Sequence, residues 1–400
     1  MVTPPSIRQA RHRGAVLAAL LLLSVGCARH GAWDRALADP GSEEFTALVD
    51  SDPARLLLAD LLTRESAEWR LTRASTALDA DGVPGASALA LDPARRPDQA
   101  RLRDLAEGVS LDFAALVFAR AIGAGERSRA VQAAFDRFVR DGAARSEEIL
   151  REPGGFPYTV LLVPSWLYRS HPENEGDFSR QRRLLDRLGI PNRLIRTSES
   201  GSVEDNAAAV AAAVREAGRR GNLLVISASK SGAEVALALS RLLTPDQAAS
   251  VAGWLNVAGA LHGTPLADAA LRPPVSWIAR LVFWLSGWDW EGLTSMATGP
   301  SRTRLENALL PGPIAVVNLV AVPVSGSVGR KVFVSYRLLR GHGPNDGVVL
   351  LADTVWPGGA SIVALGSDHL FSAGQDDARA TALLRALDFA VRLHRAAPAE

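Results

Sequence analysis

Cysteine is nearly absent. The 400 residues contain one, Cys27, which excludes an internal disulfide framework and any cysteine-built zinc site. Excess charge of either sign is missing too. The 44 basic and 43 acidic residues are mixed along the chain and leave a formal net charge of +1. No basic patch of the kind that binds nucleic acid stands out. The 7 histidines show no ligand spacing, and the glycines are scattered rather than gathered into a phosphate-cradling loop. No metal and no cofactor is therefore expected. What remains is an ordinary globular composition, 48% hydrophobic and 22% charged, long enough for one large domain and a smaller one.

The lone cysteine follows a basic start (Arg8, Arg11, His12, Arg13), an apolar run Ala15–Leu23, and Ser24-Val25-Gly26. A basic segment, a short apolar core and small residues describe an export signal, too short to span a bilayer as a helix. Its Gly-Cys ending resembles a bacterial lipoprotein signal, in which Cys27 is lipidated and becomes the mature N-terminus. Ser24 departs from that pattern, where leucine is usual. The alternatives are an ordinary signal peptide or an anchor helix that happens to hold a cysteine. Every one of these readings implies export, and the lipidated form implies a membrane-anchored protein of the bacterial cell envelope.

Residues 28–151 carry Leu, Ala, Val and Phe at helical three-and-four spacing in Glu43–Leu62, Asp98–Glu107, Leu111–Ile122 and Arg127–Leu150. Turn signals separate these segments, and no chemical motif lies among them. They read as a helical packing or interaction module. At Glu152-Pro153-Gly154-Gly155 the character changes, and a second unit, residues 152–400, alternates apolar strands with amphipathic helices. The expected strands are Thr159–Val163, Arg193–Thr197, Leu223–Ile226, Ala252–Val257, Ala315–Val322 and Ser361–Leu365. Asp177 caps a helix through Leu188, followed by helices Val203–Arg219, Gly232–Leu243 and Ala378–His394. Such alternation implies right-handed βαβ crossovers and an α/β fold with a mostly parallel sheet flanked by helices.

Strand Leu223–Ile226 runs straight into Ser227-Ala228-Ser229-Lys230-Ser231-Gly232 and then a helix. A sharp strand-to-helix turn holds a serine at the sheet's carboxyl edge, and it needs small residues two before and two after. The spacing also fits Ser200, Ser231, Ser250 and Ser327. Ser200 and Ser327 sit in Gly/Ser loops, Ser250 leads into a strand, and Ser231 leaves extra residues between strand and nucleophile. Ser229 is the candidate nucleophile; its plainer role is to cap the following helix. A nucleophilic serine needs a base, and the base needs a carboxylate to hold its tautomer. His369, in Gly366-Ser367-Asp368-His369 after the final strand, is the candidate base; His394 lies deep in a helix pattern. Asp346, on the turn Gly343-Pro344-Asn345-Asp346-Gly347 between two strand-like segments, is the candidate acid, with Asp353 and Asp368 as competitors.

Taken together, Ser-Ala-Ser-Lys-Ser-Gly, Gly-Pro-Asn-Asp-Gly-Val-Val and Ser-Asp-His resemble bacterial triacylglycerol lipases and related esterases of the α/β-hydrolase superfamily. Gly259-Ala260-Leu261-His262-Gly263-Thr264-Pro265 resembles the stretch after the sixth strand of those lipases. The resemblance covers about residues 156–392 and leaves the N-terminal helices outside. The two leading strands of the full family fold are not evident. The resemblance implies an oxyanion hole of two backbone N–H groups. One comes from Lys230, after the nucleophile. The other comes from the loop Pro164-Ser165-Trp166-Leu167, where the family usually has His-Gly; Trp166 is the expected donor, with Ser165 next.

Residues 266–312 form an insertion without strand pattern, bearing Trp277, Leu281, Trp284 and Trp288 at helix-face spacing. That stripe is either core packing or the inner face of a cap lining an acyl pocket. Three functions remain open: hydrolysis of lipid-like carboxylic esters through an acyl-serine, thioester cleavage or acyl transfer by the same triad, and a binding protein on a catalytically inactive hydrolase fold.

Overall fold

A computed structural model describes residues 42–63, 96–219, 221–371 and 376–396. Cys27 and the expected signal segment lie outside the described residues. No described helix is long and apolar enough to cross a membrane.

Before the sheet, the described residues form, besides the one-turn helix Glu43–Thr46, four longer helices: α1 (Asp52–Thr63), α2 (Gln99–Gly108), α3 (Leu111–Gly123) and α4 (Glu126–Arg151). The expected single helix over residues 43–62 is interrupted. A short turn, Glu43–Thr46, ends before α1 begins at Asp52-Pro53. Proline lacks the N–H that helix continuation needs but suits a first turn. Side chains of Asp98 and Ser110 cap α2 and α3 by accepting from Arg101 N–H and Phe113 N–H.

Six strands follow: β1 (Thr159–Val163), β2 (Asn192–Leu194), β3 (Leu223–Ala228), β4 (Val251–Val257), β5 (Ala315–Val322) and β6 (Ala360–Leu365). All pair in parallel, in the spatial order β2-β1-β3-β4-β5-β6. Helix α5 (Ser179–Arg187) joins β1 to β2, α6 (Val203–Gly218) joins β2 to β3, and α7 (Lys230–Leu237) follows β3 directly. Between β4 and β5 lie α8 (Pro265–Ala270), α9 (Val275–Ser286), α10 (Trp290–Thr294) and α11 (Thr298–Leu305). Helix α12 (Phe333–Leu339) precedes β6, and α13 (Asp377–Ala396) closes the chain's described part. This is the α/β-hydrolase-type sheet expected from the sequence. The chain leaves β1 toward one edge and returns from β2 to β3 on the other side, so the crevice between the carboxyl ends of β1 and β3 is a topological switch point, where open α/β sheets bind ligands.

Strands buried on both faces explain the near-continuous apolar runs. On one face Leu161, Val163 and Val225 join Val210 and Val214 of α6 and Ala233 and Leu237 of α7. On the other, Val160, Leu162 and Leu224 join Val131 and Phe138 of α4, Leu184 of α5, and Leu387 and Val391 of α13. Helices α2 and α3 pack through Leu102, Phe118 and Ile122 on Val320 and Val322 of β5. Helices α2, α3 and α4, on the N-terminal side of the boundary expected at residues 151/152, thus pack on the sheet. The Asp346 turn is expected between two strand-like segments, but the residues ahead of it, 333–339, are helical. They form a helix because Tyr336 and its neighbour Val332 meet Leu111 and Val328 on a single side.

Edge strand β6 is protected by α4. Ser361 N–H donates to Ser128 Oγ (3.0 Å) and Val363 N–H to Gln132 Oε1 (2.7 Å), so two groups that an open edge would leave free are satisfied. Ser128→Ala and Gln132→Ala should each destabilise the protein by about 1–3 kcal/mol, the cost of an orphaned buried donor. Urea unfolding measures this, and losses below about 0.5 kcal/mol for both would mean that water replaces the acceptors.

Candidate active site

Ser229 stands between β3 and α7 with φ 57° and ψ −126°, a conformation that L residues rarely adopt. Three backbone hydrogen bonds hold it there. Its N–H donates to Val257 O (3.0 Å), and its carbonyl accepts from Gly232 N–H (2.9 Å) and Ala260 N–H (2.9 Å). The small neighbours have separate duties. Ser227 Oγ accepts from the Trp254 indole N–H at 2.8 Å, deep in the core. Ser231, fully buried, takes the Ala228 N–H (2.9 Å) and reaches Val163 O (2.8 Å), tying the turn to the end of β1. At Gly232 a Cβ would come within 2.7 Å of Gly259 Cα and Asn256 Oδ1, so only glycine lets the turn approach the β4 loop. Ser231, the rival nucleophile, is therefore consumed by structure. Ser229 makes no capping bond to α7, so its side chain is free for another partner.

That partner is His369, whose Nε2 lies 2.9 Å from Ser229 Oγ. Its Nδ1 lies 2.7 Å from Asp346 Oδ2, and its backbone N–H donates to Asp346 O at 2.8 Å. Asp346 is fully buried, and its Oδ1 accepts from the N–H groups of Val348 (2.9 Å) and Val349 (2.8 Å). Gly347, at φ 102°, turns the chain tightly enough for these bonds; a Cβ there would meet Val332 at 2.8 Å. Of the competing carboxylates, Asp368 accepts from Gly329 N–H (2.8 Å) and Leu370 N–H (3.0 Å), and Asp353 lies 3.4 Å from His262 Nδ1. Neither meets His369.

Below the turn sits a buried ion pair, Lys230 Nζ with Glu234 Oε1. Asn206 Nδ2 also donates to Glu234 Oε1 at 2.8 Å. Burial pushes the Glu234 carboxyl up, and Lys230, Asn206 and Arg304 oppose it. The Lys230 side chain thus anchors the elbow from inside and faces away from solvent. Among the described residues, the backbone N–H of Lys230 and that of Trp166 have no acceptor. Ser165, the second choice on that loop, is excluded, because its N–H donates to Gly176 O at 2.9 Å.

The cluster of Ser229, His369 and Asp346 opens on a cavity of about 1710 Å³. Its floor is the upper ends of the strands, including Leu162, Ile226, Leu255 and Leu319, and its walls come from α4 (Phe135, Val139), α5 (Leu184) and α13 (Leu383). No chemical motif in residues 126–151 points to such a role; amphipathic spacing was the sole signal. Of the tryptophan stripe expected to line this pocket or a core, only Trp288 packs on the core; Trp277, Leu281 and Trp284 do neither. Trp277 and Trp284 are 68% and 76% exposed, and none of the α9 side chains reaches the cavity. The inward side of α9 is Phe283, packed among Trp166, Trp288 and Trp290 with ring centroids 6.2, 5.6 and 5.4 Å away. The cap is helical, as expected, but it rests on the α6 and α7 face through Phe283, Leu293 and Met296.

No protein-family model and no curated protein matches the chain by sequence. Solved structures of similar shape include esterases and lipases. A metagenomic carboxyl esterase is 25% identical over 59% of this chain and 76% of its own, with a TM-score of 0.48. A Bacillus licheniformis lipase in its mature form is 21% identical over 55% of this chain and 86% of its own, with a TM-score of 0.44. The phospholipase PlaB of Legionella pneumophila is 17% identical over 50% and 45%, with a TM-score of 0.35.

Burial works to lower the pKa of His369, but the Asp346 carboxylate, the hydrogen bond to it and the charge of Asp368 outweigh this and hold the imidazole above its ordinary range. An NMR titration should therefore place the His369 midpoint above about 6.5, the ordinary histidine value. Asp346→Asn should move it down, since the largest stabiliser of the imidazolium is gone. An unchanged midpoint in that variant would mean that the pair does not control the charge of His369.

Proposed function

We propose that this protein is a serine hydrolase that cleaves carboxylic esters bearing an apolar acyl group, through an acyl-serine intermediate. The observation that carries the reading is the unbroken hydrogen-bond chain Ser229–His369–Asp346 on a positive-φ turn. Structural ion pairs bury histidines too, but they have no reason to aim the second nitrogen at a serine held in a strained backbone.

In this reading, Ser229 Oγ attacks the ester carbonyl carbon while its proton passes to His369 Nε2. Asp346 holds Nδ1–H, fixes the tautomer and stabilises the imidazolium; its own bonds to Val348 and Val349 keep it aligned. The carbonyl oxygen becomes an oxyanion, and the two free donors, Lys230 N–H and Trp166 N–H, are suited to receive it. Lys230 opens α7, so the positive end of that helix adds to the stabilisation. His369 then returns the proton to the leaving alkoxide. Water repeats the sequence on the acyl-serine, and Ser229 is regenerated.

The cavity supports the choice of an apolar acyl group. Leu162, Ile226, Leu255, Phe135 and Leu383 line the cavity that holds Ser229, while charged residues such as Arg129, Asp136 and Arg180 lie elsewhere on its wall. Each methylene buried there is worth about 0.8 kcal/mol, so selectivity for longer chains follows from wall area.

A fluorophosphonate probe should label the wild type and Ser231→Ala, and should fail on Ser229→Ala. Asp346→Asn should lower turnover of a p-nitrophenyl ester by about two to four orders of magnitude with the fold retained. Undiminished labelling of Ser229→Ala would end this proposal. Full turnover in Asp346→Asn would remove Asp346 from it.

A further inference from the structure

Among the described residues, the outer face of α9 is an apolar surface without a partner. Val275, Trp277, Ile278, Leu281, Trp284 and Leu285 recur at three-and-four spacing, and all six are exposed, from 46% at Leu285 to 76% at Trp284. Isolated exposed apolar residues are ordinary; six on one helix, two of them tryptophan, are not. The opposite side of the helix is already committed. Ser276 and Phe283 are buried, and the Phe283 ring sits among three tryptophans. The helix is therefore fixed in orientation, and the apolar face is presented outward by construction rather than by fraying.

We propose that this face of α9 docks on a lipid–water interface, lying flat in the headgroup region of an anionic bilayer. Three features favour lipid over a protein partner. Tryptophan beside branched aliphatics is the composition that settles at the boundary between headgroups and acyl chains. Twelve residues are too few to span a bilayer, which leaves the interfacial orientation. The charge is complementary as well. From Leu271 to Trp288 the chain carries Arg272 and Arg280 and no acidic residue; acids resume at Asp289. Both arginines are exposed, and Arg280 lies on the flank of the apolar face, its guanidinium stacked 4.4 Å from the Trp290 ring centroid. Basic groups at the margin of an apolar face attract anionic headgroups.

This docking is independent of the serine-hydrolase reading, since none of the six side chains lines the cavity beside Ser229. It gives the pair of readings a common sense: the body would rest where apolar esters are found. The inner neighbour Phe283 touches Trp166, so the docked helix is one side chain away from the wall of the site.

The test uses the full chain and vesicles of phosphatidylcholine with phosphatidylglycerol whose acyl chains are brominated, which quench indoles that enter the bilayer. Wild-type tryptophan emission should fall on adding these vesicles, less so with zwitterionic vesicles or at high salt. The fall should largely vanish in Trp277→Gln/Trp284→Gln. Leu281→Gln, which keeps both indoles, should weaken vesicle partitioning by roughly tenfold or more. Hydrolysis of a short water-soluble ester should be unchanged in all variants, which separates this test from that of the catalytic reading. Three results would overturn the docking: no quenching in the wild type, equal quenching in the double variant, or a lipid-independent dimer in sedimentation that the double variant dissolves. The last would assign the face to a second copy of the chain.

Discussion

The backbone of Ser229 is the constraint on which the site depends. A serine at φ 57° carries strain of order 1–3 kcal/mol and persists only where its surroundings over-determine it. Here they do. Val257 and Ala260 of the next strand and loop hold its amide groups, Ser231 pins the turn to β1, and glycines at 232 and 259 let the two loops touch. The buried Lys230–Glu234 pair fills the space beneath. The strain turns Oγ outward, away from the helix it would otherwise cap, and toward the imidazole of His369.

Everything else in the fold can be seen as supplying that turn with partners. The switch point between β1 and β3 brings the Trp166 loop beside Ser229, although 63 residues of sequence separate them. The parallel register carries Asp346 and His369, on the connections flanking β6, to the same edge of the sheet. The N-terminal helices shield β6 and wall the cavity, which makes them part of the site's architecture. The cap does something different. Its inner face braces Trp166 through Phe283, and its outer face is left to solvent or to a partner.

Much of this was legible in the residues. Buried parallel strands must be apolar on both faces, and five of the six expected strands agree within two residues at each end; β2 alone is shortened, because the chain leaves the sheet at Ile195 after one more hydrogen bond to Leu162. Ser229, His369 and Asp346 were readable because each sits on a turn whose small or glycine neighbours are demanded by close approach. What a periodic apolar face packs against was not readable. The spacing in residues 126–151 is the same whether the helix forms a separate module or covers a sheet edge. The Trp277–Trp284 stripe has the same spacing whether it lines a pocket, fills a core or faces outward. The segment ahead of the Asp346 turn, read only as strand-like, is helical for a related reason: a short apolar run suits a strand or a helix, and contacts with Leu111 and Val328 decide it.

The central claim is that Ser229 carries the acyl group. Rapid acid quench of the protein turning over a p-nitrophenyl ester, followed by digestion and mass spectrometry, tests it directly. The account predicts an acyl mass increment on the peptide containing Ser229, at the residue itself, appearing within the first turnover and decaying as substrate is exhausted. Turnover with the acyl group on another residue, or with no covalent species in a quench fast enough to catch a single turnover, would contradict it.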